Sequence, residues 1–178
     1  SSFRLDVERT TSWTPNHLPR LGKFELLEVV GRGAFGTVYR ARDTELDRIV
    51  AVKVPRSGLF SEPEDESRFV REARNVAQLT HPGIVPVYEL GLQAGERPYF
   101  AMKLVKGETL AARIAARATP GDDLHGLLTA FREVCRTVSY AHSRGVIHRD
   151  LKPANVLIGN FGEVQVVDWG FAKVLRRG

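Results

Sequence analysis

Short apolar runs separated by glycine, proline and aspartate fill the first half of the chain. Runs of β-branched and aromatic residues of this length are typical of β-strands. They predict five strands of an antiparallel sheet, at residues 24–30, 37–42, 48–54, 85–90 and 99–105. A single helix is predicted among them at residues 66–79, because apolar side chains there recur at three- and four-residue spacing.

The second half of the chain has mainly helical spacing, at residues 109–118 and 124–143. The longer helix carries an apolar stripe, and Gly145 is its natural stop. Two short strands, residues 156–158 and 164–167, flank a glycine-containing turn. The predicted fold class is therefore α+β. Its three parts are an arm or linker at residues 1–20, a sheet-rich lobe at 21–105 and an incomplete helical lobe at 106–178.

Composition excludes some classes of function. The chain has 178 residues, 43% of them hydrophobic, and a net charge of +5. Its basic residues are scattered and are not interleaved with aromatics, so we expect no nucleic acid partner and assign the charge to attraction of an anionic ligand. No apolar run is long enough to cross a membrane and no signal peptide is evident, which predicts a cytoplasmic protein. The single cysteine, Cys135, is predicted to be buried in the helix at 124–143.

The first candidate for chemistry is the glycine-rich segment at residues 31–38, which reads G-x-G-x-x-G-x-V. Missing Cβ atoms allow backbone N–H groups to approach phosphate oxygens. A dinucleotide-binding turn and an ordinary hairpin remain alternatives, but the β-prone residues 37–39 favour a phosphate-covering loop between two strands. The residues expected to contact phosphate are Gly31, Arg32, Gly33 and Gly36.

The second candidate is Lys53, at the end of a V-A-V-K strand. In a strand of this kind the lysine reaches the nucleotide phosphates and is held by a glutamate from a helix. We favour Glu72, which lies within the predicted helix, and keep Glu66 as the alternative. Glu62 and Glu64 lie in the proline-containing approach to that helix.

The third candidate is the sequence H-R-D-L-K-P-A-N at residues 148–155, followed by D-W-G at 168–170. Asp150 or Asn155 alone would read as a cap or turn residue, but their spacing has no such explanation. Mg²⁺ prefers hard oxygen ligands, and Mn²⁺ accepts the same set, so Asn155 and Asp168 are the candidate metal ligands. Asp150 is the candidate base, and Lys152 can neutralise charge on a transferred group. His148 is expected to hold the loop rather than to titrate.

Together these motifs resemble the catalytic domain of protein kinases, specifically the bacterial Hanks-type serine/threonine kinases, over residues 24–170. The resemblance implies transfer of the γ-phosphate of ATP to a protein Ser or Thr hydroxyl with Mg²⁺. Lys152 favours the Ser/Thr class over tyrosine kinases. The resemblance also implies an adenine site, with Met102 at the gatekeeper position and Lys103 to Val105 as the hinge whose backbone binds adenine. Val38, Ala51 and Leu157 would enclose the adenine ring.

Three departures from this family stand out. Trp169 replaces the usual phenylalanine, so it needs a roomier pocket and a partner for its indole N–H if buried. Lys103 stands where relatives often carry glutamate. The chain ends eight residues after Gly170, so we expect a truncated domain that lacks the activation segment, binds ATP and transfers phosphate poorly. The rival interpretations are a non-catalytic pseudokinase or scaffold module, and a small-molecule phosphotransferase of kinase-like fold.

Overall fold

A computed structural model describes residues 20–33, 36–55, 63–93 and 97–175. Most of the arm predicted at residues 1–20, the tip of the glycine-rich loop and Glu62 lie outside the described residues. The division of the chain at residues 20 and 105 stays a prediction. The predicted α+β class is confirmed, with an antiparallel sheet in the first half and helices after it.

The main sheet has six antiparallel strands in the order β1-β2-β3-β4-β6-β5. They are β1 (Arg20–Leu21), β2 (Phe24–Gly33), β3 (Gly36–Asp43), β4 (Arg48–Val54), β5 (Val87–Gln93) and β6 (Arg97–Met102). The prediction of five strands omitted β1, because a two-residue strand has no periodicity to detect. Gly22 makes β1 possible, since its φ of +56° turns the chain straight back into β2.

The two strands before the second lobe are displaced from their predicted bounds. Strand β5 begins at Val87 instead of residue 85, directly after Pro86, which has no N–H to give to a ladder. Strand β6 ends at Met102 instead of residue 105. The Lys103 N–H donates to the Pro86 carbonyl at 3.1 Å, and the chain leaves the sheet there.

Helix α1 (Pro63–Ala77) begins three residues earlier than predicted, since proline is favoured in the first turn of a helix. Its buried residues Phe69 and Ala73 pack against the sheet, where the Phe69 and Phe100 rings lie 5.1 Å apart. The same face carries Glu72, so helix packing fixes the position of this carboxylate.

The described part of the second half contains two α-helices, α2 (Leu110–Ala115) and α3 (Leu124–Ser143). Helix α2 is shorter than predicted, and the Thr109 side chain caps its start by accepting the Ala112 N–H at 3.0 Å. Five short strands complete this half. They are β7 (Gly107–Thr109), β8 (Val146–Ile147), β9 (Val156–Gly159), β10 (Val164–Val166) and β11 (Lys173–Val174), arranged as β10-β9-β7 and β11-β8.

The buried face of α3 differs from the predicted one. It consists of Ala130, Val134, Thr137 and Ala141, whereas Phe131 is 64% exposed and Cys135 is an exposed free thiol. The prediction of a buried cysteine was therefore wrong. The apolar residues of α3 cover a wide arc, and stripes starting at 124 and at 130 share the same spacing, so periodicity alone could not select the core face. Among the described residues, no helix combines the length and apolarity needed to cross a membrane.

The largest core cluster joins both halves of the chain. Val76, Leu79 and Ile84 from the first half pack with Val134 of α3 and with Trp169. The segment between α1 and β5 is fastened to the second half by hydrogen bonds, because Gly83 accepts the Val166 N–H at 2.8 Å and Pro82 accepts the Gln165 amide at 3.1 Å. The helix that carries Glu72 is thus tied to the strands that precede Asp168.

Candidate active site

Lys53 and Glu72 form a buried ion pair between β4 and α1. The Lys53 Nζ lies 2.7 and 2.8 Å from the two carboxylate oxygens of Glu72, and the residues are 7% and 5% exposed. Burial raises the pKa of Glu72 above its ordinary value, and the Lys53 ammonium offsets only part of that rise. Because both partners are desolvated, the pair differs from a surface salt bridge and holds α1 against the sheet. The structure thus brings together the two residues that the sequence analysis paired.

The glycine-rich segment forms the hairpin of β2 and β3, with Gly31 opposite Val38 and Gly33 opposite Gly36. Gly36 is required by packing, because an added Cβ would lie 2.5 Å from the Val54 carbonyl oxygen. At Gly31 and Gly33 an added Cβ would meet nothing closer than 3.9 Å. Protein packing therefore gives no reason for glycine at these two positions, while the space they leave suits a phosphate group.

The catalytic-loop motif follows β8 and turns through a short 3₁₀ segment, Pro153–Asn155. Lys152 Nζ donates to the Asp150 carboxylate at 2.8 Å, and the Asn155 amide donates to the same carboxylate at 3.1 Å and to the Asp150 carbonyl at 2.9 Å. The hydrogen bond from Lys152 is the main reason that the pKa of Asp150 lies below its ordinary value. Asp150 is thus ionised and held in one orientation.

Asp168 follows the end of β10 and adopts a left-handed backbone with φ of 62°. Its Oδ1 lies 3.8 Å from the Lys53 Nζ, is buried, and accepts no hydrogen bond from the described residues. The structure therefore gathers Lys53, Glu72 and Asp168 at one point, although they come from a strand, a helix and a turn.

Comparison with known proteins agrees with this geometry. The protein kinase domain family matches residues 24–178. The chain belongs to the protein kinase family. It is 38% identical over 162 residues to the serine/threonine-protein kinase PknD of Protochlamydia amoebophila and 42% identical over 159 residues to PknD of Chlamydia muridarum. It is 40% identical over 167 residues to the serine/threonine-protein kinase PknB of Mycobacterium tuberculosis.

These matches cover 85%, 84% and 91% of this kinase chain, in the same order. The chain in turn spans only 16%, 17% and 26% of the length of those relatives. The predicted membership in the protein kinases is confirmed, and the activity and substrates of the whole protein are matters for proposal.

The site of this kinase contains groups that fit a hard divalent cation. The buried Asp168 Oδ1 lacks a hydrogen-bond partner among the described residues, as expected of an oxygen that faces a ligand. The Asn155 amide nitrogen is committed to Asp150, which leaves its carbonyl oxygen available. No group of three or more His, Cys, Asp or Glu residues suited to a metal occurs in the described part of the chain. Mg²⁺ that keeps waters and binds nucleotide phosphates needs no such group.

The residues predicted to face adenine lie partly on one face of the main sheet. Ala51 pairs with Met102 and Val38 pairs with Lys53, and partners in an antiparallel sheet share a face. Lys103 donates its N–H to the Pro86 carbonyl, and Val105 lies in the connection to β7, so the contact of these two residues with adenine stays a prediction. Leu157 lies on β9, the central strand of the three-stranded sheet, opposite Gln165 and Thr109. Its contact with adenine stays a prediction.

The kinase also has a cavity of about 370 Å³ that motif analysis did not find. It lies between α1 and the chain after Gly170, apart from the glycine-rich strands, and Arg71, Asn75, Arg149 and Lys173 contribute to its wall. Arg149 also donates to the Phe171 carbonyl at 2.6 Å. These side chains come from three distant parts of the sequence, so no local spacing could have grouped them.

Proposed function

We propose that this chain carries the nucleotide-binding lobe and the catalytic loop of a serine/threonine protein kinase, which transfers the γ-phosphate of ATP to a protein hydroxyl. The observation that carries the proposal is the position of Lys53, bonded to Glu72 at 2.7 Å and 3.8 Å from Asp168. This arrangement puts the Lys53 ammonium beside the Asp168 Oδ1, which has no hydrogen-bond partner among the described residues. Nucleotide phosphates and their metal ion would lie at this place.

In the proposed reaction each residue acts through a contact that the fold already supports. Lys53 binds the α- and β-phosphates, and the backbone of Gly31 and Gly33 covers them. Asn155 and Asp168 would hold Mg²⁺, or Mn²⁺ in its place. When bound, this ion would supply positive charge that offsets the charge developing on the phosphate oxygens.

Asp150 receives the substrate hydroxyl and takes its proton as the oxygen bonds to the γ-phosphorus and the bond to ADP breaks. Its lowered pKa makes it a weak base, so its first role is to orient the hydroxyl, and it accepts the proton late in the step. Lys152, 2.8 Å from Asp150, is placed to stabilise charge on the transferred group.

We also propose that the substrate is a protein and that the chain functions in the cytoplasm. Lysine, base and metal-binding aspartate are all present, which argues against a pseudokinase. The names of the relatives favour a protein substrate over an aminoglycoside-like molecule. A reducing cytoplasm would keep the exposed Cys135 as a free thiol.

The first test measures thermal unfolding with and without ATP and Mg²⁺. Ligand at about 100 times its Kd should stabilise the folded state by ~2.7 kcal/mol, or roughly 5–10 °C for a chain of this size. Asp168→Asn should lose the magnesium-dependent part of the shift. Asp47→Asn is the matched control. It makes the same chemical change, a carboxylate to an amide, but in an exposed turn remote from the site.

An unchanged melting temperature in a cooperatively folded sample, or a full shift in Asp168→Asn, would overturn the proposed nucleotide site.

A second test measures transfer of the labelled γ-phosphate of ATP to a Ser- and Thr-containing protein and, in parallel, to an aminoglycoside. Asp150→Asn should reduce the protein signal at least a hundredfold, as expected for loss of a base.

A further inference from the structure

One carboxylate organises the turn between α2 and α3. The Asp122 Oδ2 accepts the backbone N–H groups of Ala118 and Thr119 at 2.9 and 2.8 Å, and its Oδ1 accepts the Thr119 hydroxyl at 2.6 Å. Pro120 follows and has no N–H to contribute. The hydroxyl of Thr119 is the main reason that the pKa of Asp122 lies below its ordinary value. The conformation of this turn therefore depends on a hydrogen-bond donor in the Thr119 side chain.

The Thr119 side chain is also accessible to an enzyme. The residue is exposed and lies outside the helices and strands, and its N–H is bonded to a side chain instead of a helix or sheet carbonyl. A segment that enters the cleft of a protein-modifying enzyme must first leave its own fold, and exposed turns open at low free-energy cost. Ser139 is likewise exposed, but it lies inside α3, where the same opening would break helical hydrogen bonds.

A guanidinium group beside the turn could receive an anion. The Arg117 Nε is buried and has no hydrogen-bond partner among the described residues. The charge of Arg117 contributes to the lowered pKa values of both Asp122 and Asp123, so it lies near them. Arg113, by contrast, already donates to Asp123. A phosphate on a hydroxyl adds a charge of about −1.5 to −2 and three acceptor oxygens, and arginine binds such a group well.

We propose that Thr119 is a phosphorylation site, at which the phosphate displaces the Asp122 carboxylate and binds Arg117. The phosphorylated oxygen has no proton left to donate to Asp122, and two anions at hydrogen-bond distance repel each other. The turn thus exchanges an arrangement centred on Asp122 for one centred on Arg117. This inference rests on the proposed function, because the enzyme that modifies Thr119 is a second copy of this chain.

The transfer follows the proposed reaction, with the hydroxyl and the nucleotide on different copies. The Thr119 Oγ1 of one copy bonds to the γ-phosphorus of the ATP that the other copy holds. The bond from that phosphorus to the bridging oxygen breaks, and ADP leaves. The hydroxyl proton passes to Asp150 of the second copy.

Mass spectrometry locates the phosphate after incubation with ATP and Mg²⁺. An isotopically labelled Asp150→Asn chain, which lacks its own base, is incubated alone and with a small amount of unlabelled wild type. We expect Thr119 of the labelled chain to be phosphorylated in the mixture, and at least about a hundredfold more slowly when that chain is alone. Thr119→Val in the labelled chain should remove this phosphopeptide. Ser139 is the internal control and should remain unmodified in every sample.

The contact with Arg117 is tested by ³¹P NMR of the phosphorylated chain. The pKa of the phosphate, ordinarily about 6, is measured by pH titration. A nearby cation lowers the pKa of an anion, so Arg117→Gln should shift the titration to higher pH. Arg136→Gln is the matched control, because Arg136 pairs with Glu133 on α3, and it should leave the titration unchanged. Identical titrations in the wild type and in Arg117→Gln would contradict the exchange of partners.

The outcomes separate this inference from the proposed function. If the wild type phosphorylates a separate Ser- and Thr-containing protein while Thr119 stays unmodified, the inference is wrong and the proposed function stands. Equal modification of Ser139 and Thr119 would also overturn the inference, since exposure alone would then decide the site. If no protein receives phosphate, the chain itself included, the proposed function fails and the inference with it.

Discussion

Two residues other than glycine adopt left-handed backbone on either side of the proposed chemistry, Arg149 with φ of 66° and Asp168 with φ of 62°. One directly precedes the candidate base and the other is a candidate metal ligand. Each conformation costs on the order of 1–2 kcal/mol, which the surrounding contacts must offset. For Arg149 this contact is the hydrogen bond from its own side chain to the Phe171 carbonyl. For Asp168 the contacts are the hydrogen bonds from the His148 and Trp169 rings to the two carbonyls that precede it.

His148 gives a pH-dependent prediction at this scale. Burial lowers its pKa below the ordinary 6.5, so the folded chain resists a proton that the unfolded chain accepts. The free energy of unfolding should therefore fall as the pH drops through 6.5 and below, with a slope from this group of at most about 1.4 kcal/mol per pH unit.

Urea unfolding between pH 8 and pH 5 measures this slope. His148→Gln, whose amide can still donate and accept, should be less stable at pH 8 and should show a flatter pH dependence than the wild type. Equal slopes in the two proteins would mean that His148 does not resist protonation in the folded state.

At the scale of elements, the segment between α1 and β5 depends on one close approach to α3. A Cβ added at Gly83 would lie 1.9 Å from the Thr137 Oγ1 and 3.0 Å from its Cβ. The same segment receives the Tyr140 hydroxyl, which accepts the Thr80 N–H at 3.0 Å, and the His81 ring stacks on Tyr140 at 5.1 Å. Glycine at position 83 is what allows this docking.

Gly83→Ala should destabilise the fold by ~1–3 kcal/mol through overpacking. Thr137→Ala removes the closest atom and should restore part of the loss in the double variant, with a coupling of ~0.5–3 kcal/mol. Chemical denaturation of the four proteins gives the cycle. Gly121→Ala is the control, since its added Cβ would meet only the Thr119 Oγ1 at 3.9 Å. Strict additivity at 83 and 137 would contradict the steric account.

The elements that sequence predicted well are those with a long pattern, such as α3, whose bounds 124–143 agree with the structure. Strands β1, β8 and β11 have two residues each, and they form because their partners are brought close by the rest of the fold. The candidate site likewise contains a part that the sequence predicts and a part that it does not. The motif residues Lys53, Asp150 and Asp168 could be named from spacing, whereas the roles of Val166 and Val167 are backbone contacts that leave no signal in residue type.

For the whole molecule, the core cluster shared by both halves implies that they unfold together. Ile84 and Val76 belong to the first half of the chain, yet they pack with α3 and Trp169. We expect one cooperative transition in which Trp169 fluorescence, recorded in the Trp13→Phe background, coincides with far-UV circular dichroism.

Ile84→Ala in the shared cluster and Leu21→Ala in the separate cluster of the sheet should each cost ~2–5 kcal/mol. Each should move the fluorescence and dichroism curves by the same amount. Separation of the curves in either variant would show that the lobes unfold as independent units.

The exposed thiol on α3 has a practical use beyond its place in the fold. Cys135 is the sole cysteine of the chain, and it lies on a twenty-residue helix anchored by Val134 and Ala141. One maleimide dye or spin label attached there would sit on a rigid frame without replacement of any native cysteine. A second label on α1 would then report the distance between the two helices, and with it whether Glu72 keeps its position when nucleotide is added.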